Sequence, residues 1–455
     1  MTSFGAWSLV PAAVVVAVAL KTRRAFEPLL IGCLVGYLMI DWTKFPGNFL
    51  DSLIKTLQDE SLVWVIVVCA LYGSLIQLMV VSGGIAAFGD YLLRYLTTRR
   101  RTLVGAWLLG VAIFMDDYLS ALTVSSIMRR VTDRFRVPRE LLAMMVNSTA
   151  APVCVIIPLS TWSLYVGKLL EGAKLAAPGQ GNWLYMKTIP FNFYAIFMVV
   201  IAGLVAAGWM PVVGRMKRAV RRSEASADPA DLVPAGSEPF TNRLMLPVGR
   251  AGKSRYFLVP LLVLVGVTLA TGLDALKGAA VAVTFTVAYF SVDRVLRYDE
   301  ALEGVWEGAR GMLFTLVVLV MSYVLKNVGD AMGMTQFIVD GLRANANPKA
   351  LPALIFLSLG LVTFATGSSW GVYAVTVPIV VALAAALGLS PWPSLGAVVA
   401  AGAFGSQACF YSDAAVLTAT GTECNNIEHG LTQFPYALLA FALGTVAYLA
   451  VGYLG

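Results

Sequence analysis

Charged side chains are scarce in this sequence of 455 residues. Asp, Glu, Lys and Arg together make up 13% of it, whereas soluble domains carry about 25%. Hydrophobic residues make up 58%, and the mean hydropathy is +0.78. This balance excludes an ordinary soluble domain. Apolar runs of membrane-spanning length recur from end to end, so the sequence predicts a polytopic all-α membrane protein.

Residue types that usually build metal or catalytic sites are also few. The sequence has one histidine, His429, and five cysteines with no CxxC spacing, and no HExxH motif occurs. We therefore expect no enzyme and no cofactor, and no metal beyond a possible Na+ as coupling ion. We interpret the cysteines as reduced packing residues. His429 falls in a predicted polar loop, where a proton-carrying role is one interpretation.

The formal charge of +7 comes from basic residues that cluster in a few loops, as the positive-inside rule predicts for cytoplasmic loops of membrane proteins. We therefore expect a lipid bilayer rather than a nucleic acid as the partner. Residues 1–210 and 255–455 form two membrane domains, and residues 211–254 form a cytoplasmic linker. Counting spans from the linker places both termini outside.

Asp116 and Asp117 interrupt the apolar run from Leu103 to Met128. A carboxylate at the centre of a membrane helix costs roughly 2.5–3.5 kcal/mol on insertion scales, so it faces protein or water and is usually functional. Both flanks of the run are basic, which predicts that both lie in the cytoplasm. The two arms of about 12 residues would each reach about 18 Å, too short to cross a core of about 30 Å. We therefore predict a re-entrant hairpin with the carboxylates at its tip.

Similar interruptions occur in three other apolar runs. Pro152 follows small polar residues in the span 141–166 and predicts a broken helix, because proline removes an amide donor. Thr366–Trp370 breaks the run 354–387 and predicts a second hairpin, entering from outside. Gly405–Gln407 and Ser412–Asp413 interrupt the span 395–420. Broken helices of this kind form the midplane binding sites of secondary transporters.

An internal repeat relates the two halves. A shift of 250 residues aligns Gly83 with Gly333 and Phe114 with Phe364, and brings the two predicted hairpins into register. Chance matches between apolar segments are the alternative explanation. The predicted fold is two inverted repeats, each with five transmembrane helices and one re-entrant hairpin, with broken helices at the midplane.

Several of these motifs together resemble one known family. Phe114–Val124, Asn147–Val153, Thr366–Gly371 and Ser412–Asp413 followed by Thr420–Gly421 are similar to the NhaC-type Na+/H+ antiporters of the ion-transporter superfamily. The resemblance covers most of both halves but not the linker. It implies a scaffold with a moving transport unit, a homodimer, and secondary active transport by alternating access.

The sequence departs from the family pattern in one place. The family usually has Gly-Asp-His-x-Ser-Pro-x-Ser-Asp-Thr where this chain has Gly405–Ala414, so that Ser406 and Gln407 replace the Asp-His pair. The change removes charge and adds neutral polar groups, with Phe410 and Tyr411 close by. It favours an alternative function, a Na+- or H+-coupled carrier of a small organic solute such as an amino acid or organic acid.

The candidate site residues fall into two groups. Those that offer oxygen or charge to Na+ or H+ are Asp116, Asp117, Asp413, Asn147, Thr149 and Ser412. Those that would contact a solute are Ser148, Ser160, Trp162, Thr366, Ser368, Ser369, Trp370, Gln407 and Tyr411. Paired carboxylates in a low dielectric tend to share one proton, which suits proton coupling.

Each group also has a structural interpretation. The Asp116–Asp117 pair would then form salt bridges with Arg129 or Arg130, and Asp413 would cap a broken helix. The Ser, Thr and Asn side chains would cap local backbone groups, and the aromatic rings would pack against lipid or core. The functional interpretation predicts a secondary transporter in the cell inner membrane, moving a solute coupled to Na+ or H+.

Overall fold

The computed structural model describes residues 4–22, 26–225, 252–334, 337, 347–367 and 369–454. Within these residues all regular secondary structure is helical, which agrees with the predicted all-α class. The first half contains α1 Val10–Thr22, α2 Phe26–Ile40, α3 Phe45–Leu57, α4 Glu60–Val81, α5 Gly84–Leu92, α6 Arg99–Ala112, α7 Asp117–Arg134, α8 Arg139–Thr149, α9 Ala151–Ile156, α10 Thr161–Gly172, α11 Gly181–Tyr185, α12 Phe193–Ala206 and α13 Gly214–Ala225. The second half contains α14 Arg255–Ala270, α15 Ala275–Val292, α16 Tyr298–Gly311, α17 Leu313–Ala331, α18 Leu351–Thr366, α19 Trp370–Ala386, α20 Pro391–Ala408, α21 Asp413–Thr422 and α22 Asn426–Leu454.

Each of the four interrupted runs contains a break between helices, but the predicted interruption at Gly405–Gln407 is wrong, because these residues lie in the last turn of α20. α6 ends at Ala112 and α7 begins at Asp117, and the two pack against each other as a hairpin. α8 ends at Thr149 and α9 begins at Ala151, so Ala150 separates the two helices. Pro152 lies in the first turn of α9, where the missing proline amide costs no helical hydrogen bond. Gly367 ends α18 with φ +67°, a left-handed conformation that favours glycine. The fourth break separates α20 from α21 and spans residues 409–412.

Corresponding helices of the two halves pack reciprocally. α2 and α3 pack against α17 of the second half, while α15 and α16 pack against α4 of the first. The hairpin helix α7 packs against α21, and the second hairpin helix α19 packs against α10. The two hairpins and the two broken spans therefore meet at the junction between the halves, where the carboxylates lie.

Six helical segments of the described residues are long and apolar enough to cross a membrane, or eight if each bent pair is counted as one span. The sequence predicts ten. The difference arises because several predicted spans are short, such as α14 with 16 residues and α12 with 14. The finding supports a multi-pass membrane protein without fixing the number of spans.

Three segments expected to be loops are helices instead. The sequence predicts an external loop over residues 41–60, because the stretch is polar and apolar in turn and contains Pro46 and Gly47. α3 lies there instead, and its apolar residues Phe45, Phe49 and Leu53 recur every four residues and pack on the α2–α17 core. α16 lies in another stretch predicted to be a loop, and its small buried residues Ala301, Gly304 and Gly308 pack against α4. α13 occupies the first part of the predicted linker, with Met216 and Ala219 buried against α8 and α22. The sequence also predicts an amphipathic segment on the outside over residues 330–342, of which residues 335, 336 and 338–342 lie outside the described residues.

Candidate functional site

Four helices begin at the junction between the two halves. Their N-cap residues are Asp116 for α7, Ser160 for α10, Ser369 for α19 and Ser412 for α21. A helix N-terminus presents unpaired amides and the positive end of the helix dipole. Side-chain contacts described below link all four N-termini.

Asp116 joins the first hairpin to α10. One carboxylate oxygen accepts from the Leu119 amide at 3.0 Å, the bond of an N-cap, and the other accepts from the Thr161 hydroxyl at 3.2 Å. The Thr161 amide also donates to the Met115 carbonyl at 2.9 Å. Asp116 thus holds the hairpin tip against the start of α10.

Asp117 is less completely paired. Its Oδ1 accepts from the Trp162 indole nitrogen at 2.9 Å, while its Oδ2 is buried and has no hydrogen-bond partner in the described part of the chain. The side chain is only 1% exposed. A buried carboxylate oxygen without a donor is costly, so Asp117 is the best candidate in the site to bind a cation or a proton.

Asp413 brings the second half to the same place. Its Oδ2 accepts from the Tyr118 hydroxyl at 2.6 Å, and its Oδ1 accepts from the Ala414 amide at 2.8 Å. Tyr118 directly follows Asp117 in sequence, so one side chain links the third carboxylate to the hairpin tip. Ser412 rather than Asp413 is the N-cap of α21, and Asp413 accepts from one first-turn amide while its other oxygen binds Tyr118.

These three carboxylates lack a basic partner in the part of the chain that the structure describes. Within the described residues, no Lys or Arg lies within 4.0 Å of Asp116, Asp117 or Asp413. Arg129, which the structural interpretation paired with the aspartates, instead pairs with Glu423 at 2.5 Å. That alternative is wrong for Arg129, because α7 carries this side chain three helical turns away from the tip.

Aromatic rings cover the site on the side of the second hairpin. The Trp162 and Trp370 ring centroids lie 4.9 Å apart, and Tyr165 meets Trp370 edge-on at 4.9 Å. The Tyr165 hydroxyl also donates to the Trp370 carbonyl at 3.1 Å. Since Trp162 itself binds Asp117, this stack connects the tip of the second hairpin to the carboxylate of the first.

A cavity of about 510 Å³ reaches the site from one end of the helices. Thr161 and Trp370 line it, together with Glu60, Lys168 and Asp274 among others. Because Thr161 donates to Asp116, a single hydrogen bond separates the cavity from the carboxylates. The opposite end of α7 carries ion pairs instead, including Arg129–Glu423 and Arg139–Asp133 at 2.9 Å.

Comparison with known proteins identifies the family. The model of the Na+/H+ antiporter family matches residues 164–453, more than half of the chain.

The chain belongs to the Na+/H+ antiporter family.

The resemblance drawn from the motifs is thereby confirmed, and this antiporter-family member is a membrane transporter, not an enzyme. The match includes Asp413 and Trp370 but begins after Asp116 and Asp117.

Two individual proteins are also similar to this chain. An uncharacterized protein of Haemophilus influenzae is 28% identical over 99% of this chain and 92% of its own length. The crystal structure of the YdaH transporter of Alcanivorax borkumensis, described as having an unusual topology, aligns over 98% of each chain with a TM-score of 0.43 and 13% identity.

A second polar cluster of the transporter lies beside the α20–α21 break. The Gln407 amide donates to Ser148 Oγ at 2.9 Å and accepts from the Tyr194 hydroxyl. The Asn147 side-chain nitrogen lies 3.1 Å from the Gln407 carbonyl, 3.1 Å from His429 Nε2 and 3.2 Å from Gln433 Oε1. Both ends of the Gln407 amide are thus occupied within the protein.

The remaining predicted hydroxyls bind backbone carbonyls. Thr149 donates to Met145, Thr366 to Val362, Ser160 to Cys154, Ser369 to Gly402, Ser412 to Ser406 and Tyr411 to Ala365. Ser368 lies outside the described residues. Gly367–Gly371 has the G-x-S-x-G spacing of some hydrolases, but Ser369 is engaged with Gly402 and the only histidine contacts Asn147. These hydroxyls stabilise the broken backbone of the transporter.

Four polar neighbours of the candidate residues escaped sequence reasoning. Tyr118 lies within a quoted motif and Thr161 lies between the candidates Ser160 and Trp162, but only the fold shows that they bind Asp413 and Asp116. Tyr194 and Gln433 are polar residues in apolar spans, a signal that would have suggested them. His429 was placed in a loop, which is wrong: it lies in the first turns of α22 and is fully buried beside Asn147.

A resident metal has no evident site here. Among the described residues no group of three His, Cys, Asp or Glu side chains could hold a metal ion. The oxygens that remain for a cation are those of the carboxylates and the neighbouring hydroxyls and carbonyls, a ligand set that suits hard cations.

Proposed function

We propose that this transporter exchanges Na+ for H+ by alternating access, with Asp116, Asp117 and Asp413 as the shared binding site. The observation that carries the proposal is a set of three buried carboxylates, linked by Thr161, Trp162 and Tyr118, with no basic side chain within 4.0 Å in the described residues.

Charge balance explains why such a site would exchange cations. A buried carboxylate without a counter-charge is unfavourable by several kcal/mol. Either a proton or a metal cation relieves this cost, but both cannot occupy the same oxygens. Competition between the two for one site couples Na+ movement to H+ movement without further machinery.

The cavity supports one access state of such a cycle. It reaches Thr161 and Trp370, while ion pairs join the helices at the opposite end, where the basic loops lie. If those loops are cytoplasmic, as the positive-inside rule favours, the cavity faces outside and both termini lie outside. The reciprocal packing of the two halves is what inverted repeats would produce.

The alternative, a carrier of a small organic solute, loses its main motivation. It depended on the neutral groups that replace the Asp-His pair of the family, above all Gln407 and Tyr411. Both donate or accept within the protein, Gln407 with Ser148 and Tyr194, and Tyr411 with the Ala365 carbonyl. We therefore favour the cation exchanger.

Proton flux in proteoliposomes tests the proposal. The protein is reconstituted with a pH-sensitive dye inside, and an inward Na+ gradient is applied without any organic solute. We expect Na+-dependent alkalinisation that Asp117→Asn abolishes. Asp299→Asn, an exposed carboxylate, is the matched control and should retain the flux. A proton flux that appears only with an added amino or organic acid would refute exchange and support the solute carrier.

The family resemblance extends the proposal to assembly and location. We propose a homodimer in the inner membrane that needs no cofactor other than the transported Na+. Chemical cross-linking in membranes, followed by sizing of the detergent-extracted protein, would contradict the dimer if only monomers were recovered.

A further inference from the structure

Tyr323 differs from the other residues that line the cavity. Its side chain is 6% exposed, and its hydroxyl is buried without a hydrogen-bond partner in the described part of the chain. Among the described residues that line the cavity, no other has a buried side-chain nitrogen or oxygen without a partner. Most buried polar side chains in proteins are paired, so this hydroxyl needs an explanation that its neighbours do not.

Tyr165 offers a contrast within the same cavity. Its hydroxyl donates to the Trp370 carbonyl at 3.1 Å and so joins α10 to the second hairpin. Outside the cavity, the buried Tyr448 hydroxyl donates to the Phe191 carbonyl at 2.6 Å. A buried tyrosine that serves the fold usually finds such a partner. Tyr323 has none within the described residues, so structural bonding does not account for its hydroxyl.

The position of Tyr323 relates the cavity to the carboxylate of the second half. Tyr323 belongs to α17, which packs against α21, the helix that begins at Asp413. Among the charged groups, Asp413 exerts the largest electrostatic effect on the Tyr323 hydroxyl. Tyr118, which donates to Asp413, also interacts electrostatically with Tyr323. The cavity therefore borders the carboxylates at two places, at Thr161 beside Asp116 and at Tyr323 on the side of Asp413.

We propose that the Tyr323 hydroxyl is a ligand of the transported Na+, which it binds between the cavity and Asp413. Hydroxyl oxygens suit a hard monovalent cation that has lost part of its water shell. A proton binds a carboxylate oxygen directly and needs no such ligand. Tyr323 would thus contribute to the affinity for Na+ without contributing to the affinity for H+. This inference depends on the proposed function, because it assigns a further ligand to the same ion site.

Tyr323→Phe removes the hydroxyl and keeps the packing of the ring. Because the hydroxyl has no partner in the described residues, the variant without Na+ should melt no lower than the native protein. Its Na+ affinity should fall about fivefold, as expected for the loss of one neutral contact. A hydroxyl that served only the fold would give the opposite pattern, with a lower melting temperature and an unchanged Na+ affinity.

Two Na+ titrations measure these effects. The melting temperature of the purified protein is followed as Na+ replaces choline, and the initial rate of proton flux in proteoliposomes is followed as external Na+ increases. We expect Tyr323→Phe to raise both the Na+ midpoint and the KM for Na+ about fivefold, while the rate at saturating Na+ stays near the native rate. Tyr448→Phe is the matched control. It loses the bond to Phe191 and should melt lower in choline, with a native Na+ midpoint and KM.

The outcomes separate this inference from the proposed exchange. A native protein that responds to Na+, together with a Tyr323→Phe variant whose Na+ midpoint and KM are unchanged, would refute the Tyr323 contact alone. A fall in the rate at saturating Na+ with an unchanged KM would also refute it, because the hydroxyl would then act on a later step. If Na+ neither raises the melting temperature of the native protein nor drives proton flux, the proposed exchange is wrong and the Na+ contact is wrong with it.

Discussion

Replacing Asp117 by Asn gives the sharpest test of the site. In the native protein the Trp162 indole donates to Asp117 Oδ1 at 2.9 Å. Asn has nearly the same size as Asp and keeps an oxygen that can accept this hydrogen bond. The substitution removes the one carboxylate whose second oxygen is buried without a partner in the described residues. Asp117→Asn therefore changes the charge of the site with little change in its packing.

The expected loss of Na+ affinity follows from Coulomb's law. A unit charge about 4 Å away contributes about 4 kcal/mol at an effective dielectric constant near 20, which corresponds to about 10³-fold in affinity. Na+ at 100 times its dissociation constant stabilises the native protein by about 2.7 kcal/mol. After a 10³-fold loss, the same Na+ concentration contributes less than about 0.1 kcal/mol.

Thermal unfolding of the purified protein with and without Na+ measures this difference. The native protein should melt at a higher temperature in Na+ than in choline, and Asp117→Asn should show no difference. Without Na+, the variant should melt no lower than the native protein, because it lacks an uncompensated buried charge. A retained Na+ effect, or a lower melting temperature in choline, would show that Asp117 serves the fold rather than the ion.

Three further predictions concern the neighbouring residues. Asp116→Asn should fold nearly as well as the native protein, because Asn is also a good N-cap, yet lose proton exchange in proteoliposomes; full exchange would remove Asp116 from the site. Gln407→Ala should lower the free energy of unfolding by about 1–3 kcal/mol for each partner left unpaired, seen in denaturant unfolding, while the ion selectivity of transport stays unchanged; altered selectivity would contradict a purely structural role. Arg222→Ala should release α13 and increase its cleavage by proteases, because Glu140, which pairs with Arg222 at 2.7 Å and is 1% exposed, would lose its partner. Unchanged proteolysis would show that the ion pair does not hold α13.

The breaks in the helices were predictable because their causes are local. Pro152, Gly367 and the Asp116–Asp117 pair each make a continuous apolar helix unfavourable wherever the chain places them. Amphipathic segments were harder, since α3 and α16 alternate polar and apolar residues within stretches that resemble loops in composition. Helical periodicity at Phe45, Phe49 and Leu53 is the signal that identifies α3.

Contacts between distant residues could not be read from the sequence. Tyr118 and Asp413 are 295 positions apart, and Gln407 meets Tyr194 across 213 positions. A neutral side chain such as Gln407 looks available for a solute until its partners are known. Only the fold shows that Ser148 and Tyr194 bind its side chain.

The charges at the junction explain why the carboxylates number three. Each helix N-terminus is equivalent to about +0.5 of a charge, so the four that meet here contribute about +2. Asp116, Asp117 and Asp413 contribute −3 when ionised. Lys326 lies near the second hairpin tip but pairs with Asp330 at 3.5 Å, so it adds no net charge. The remainder is about −1, which one Na+ or one proton neutralises. In the proposed exchange, a site balanced in this way would be stable with either ion and unstable with neither, so that each ion would have to replace the other.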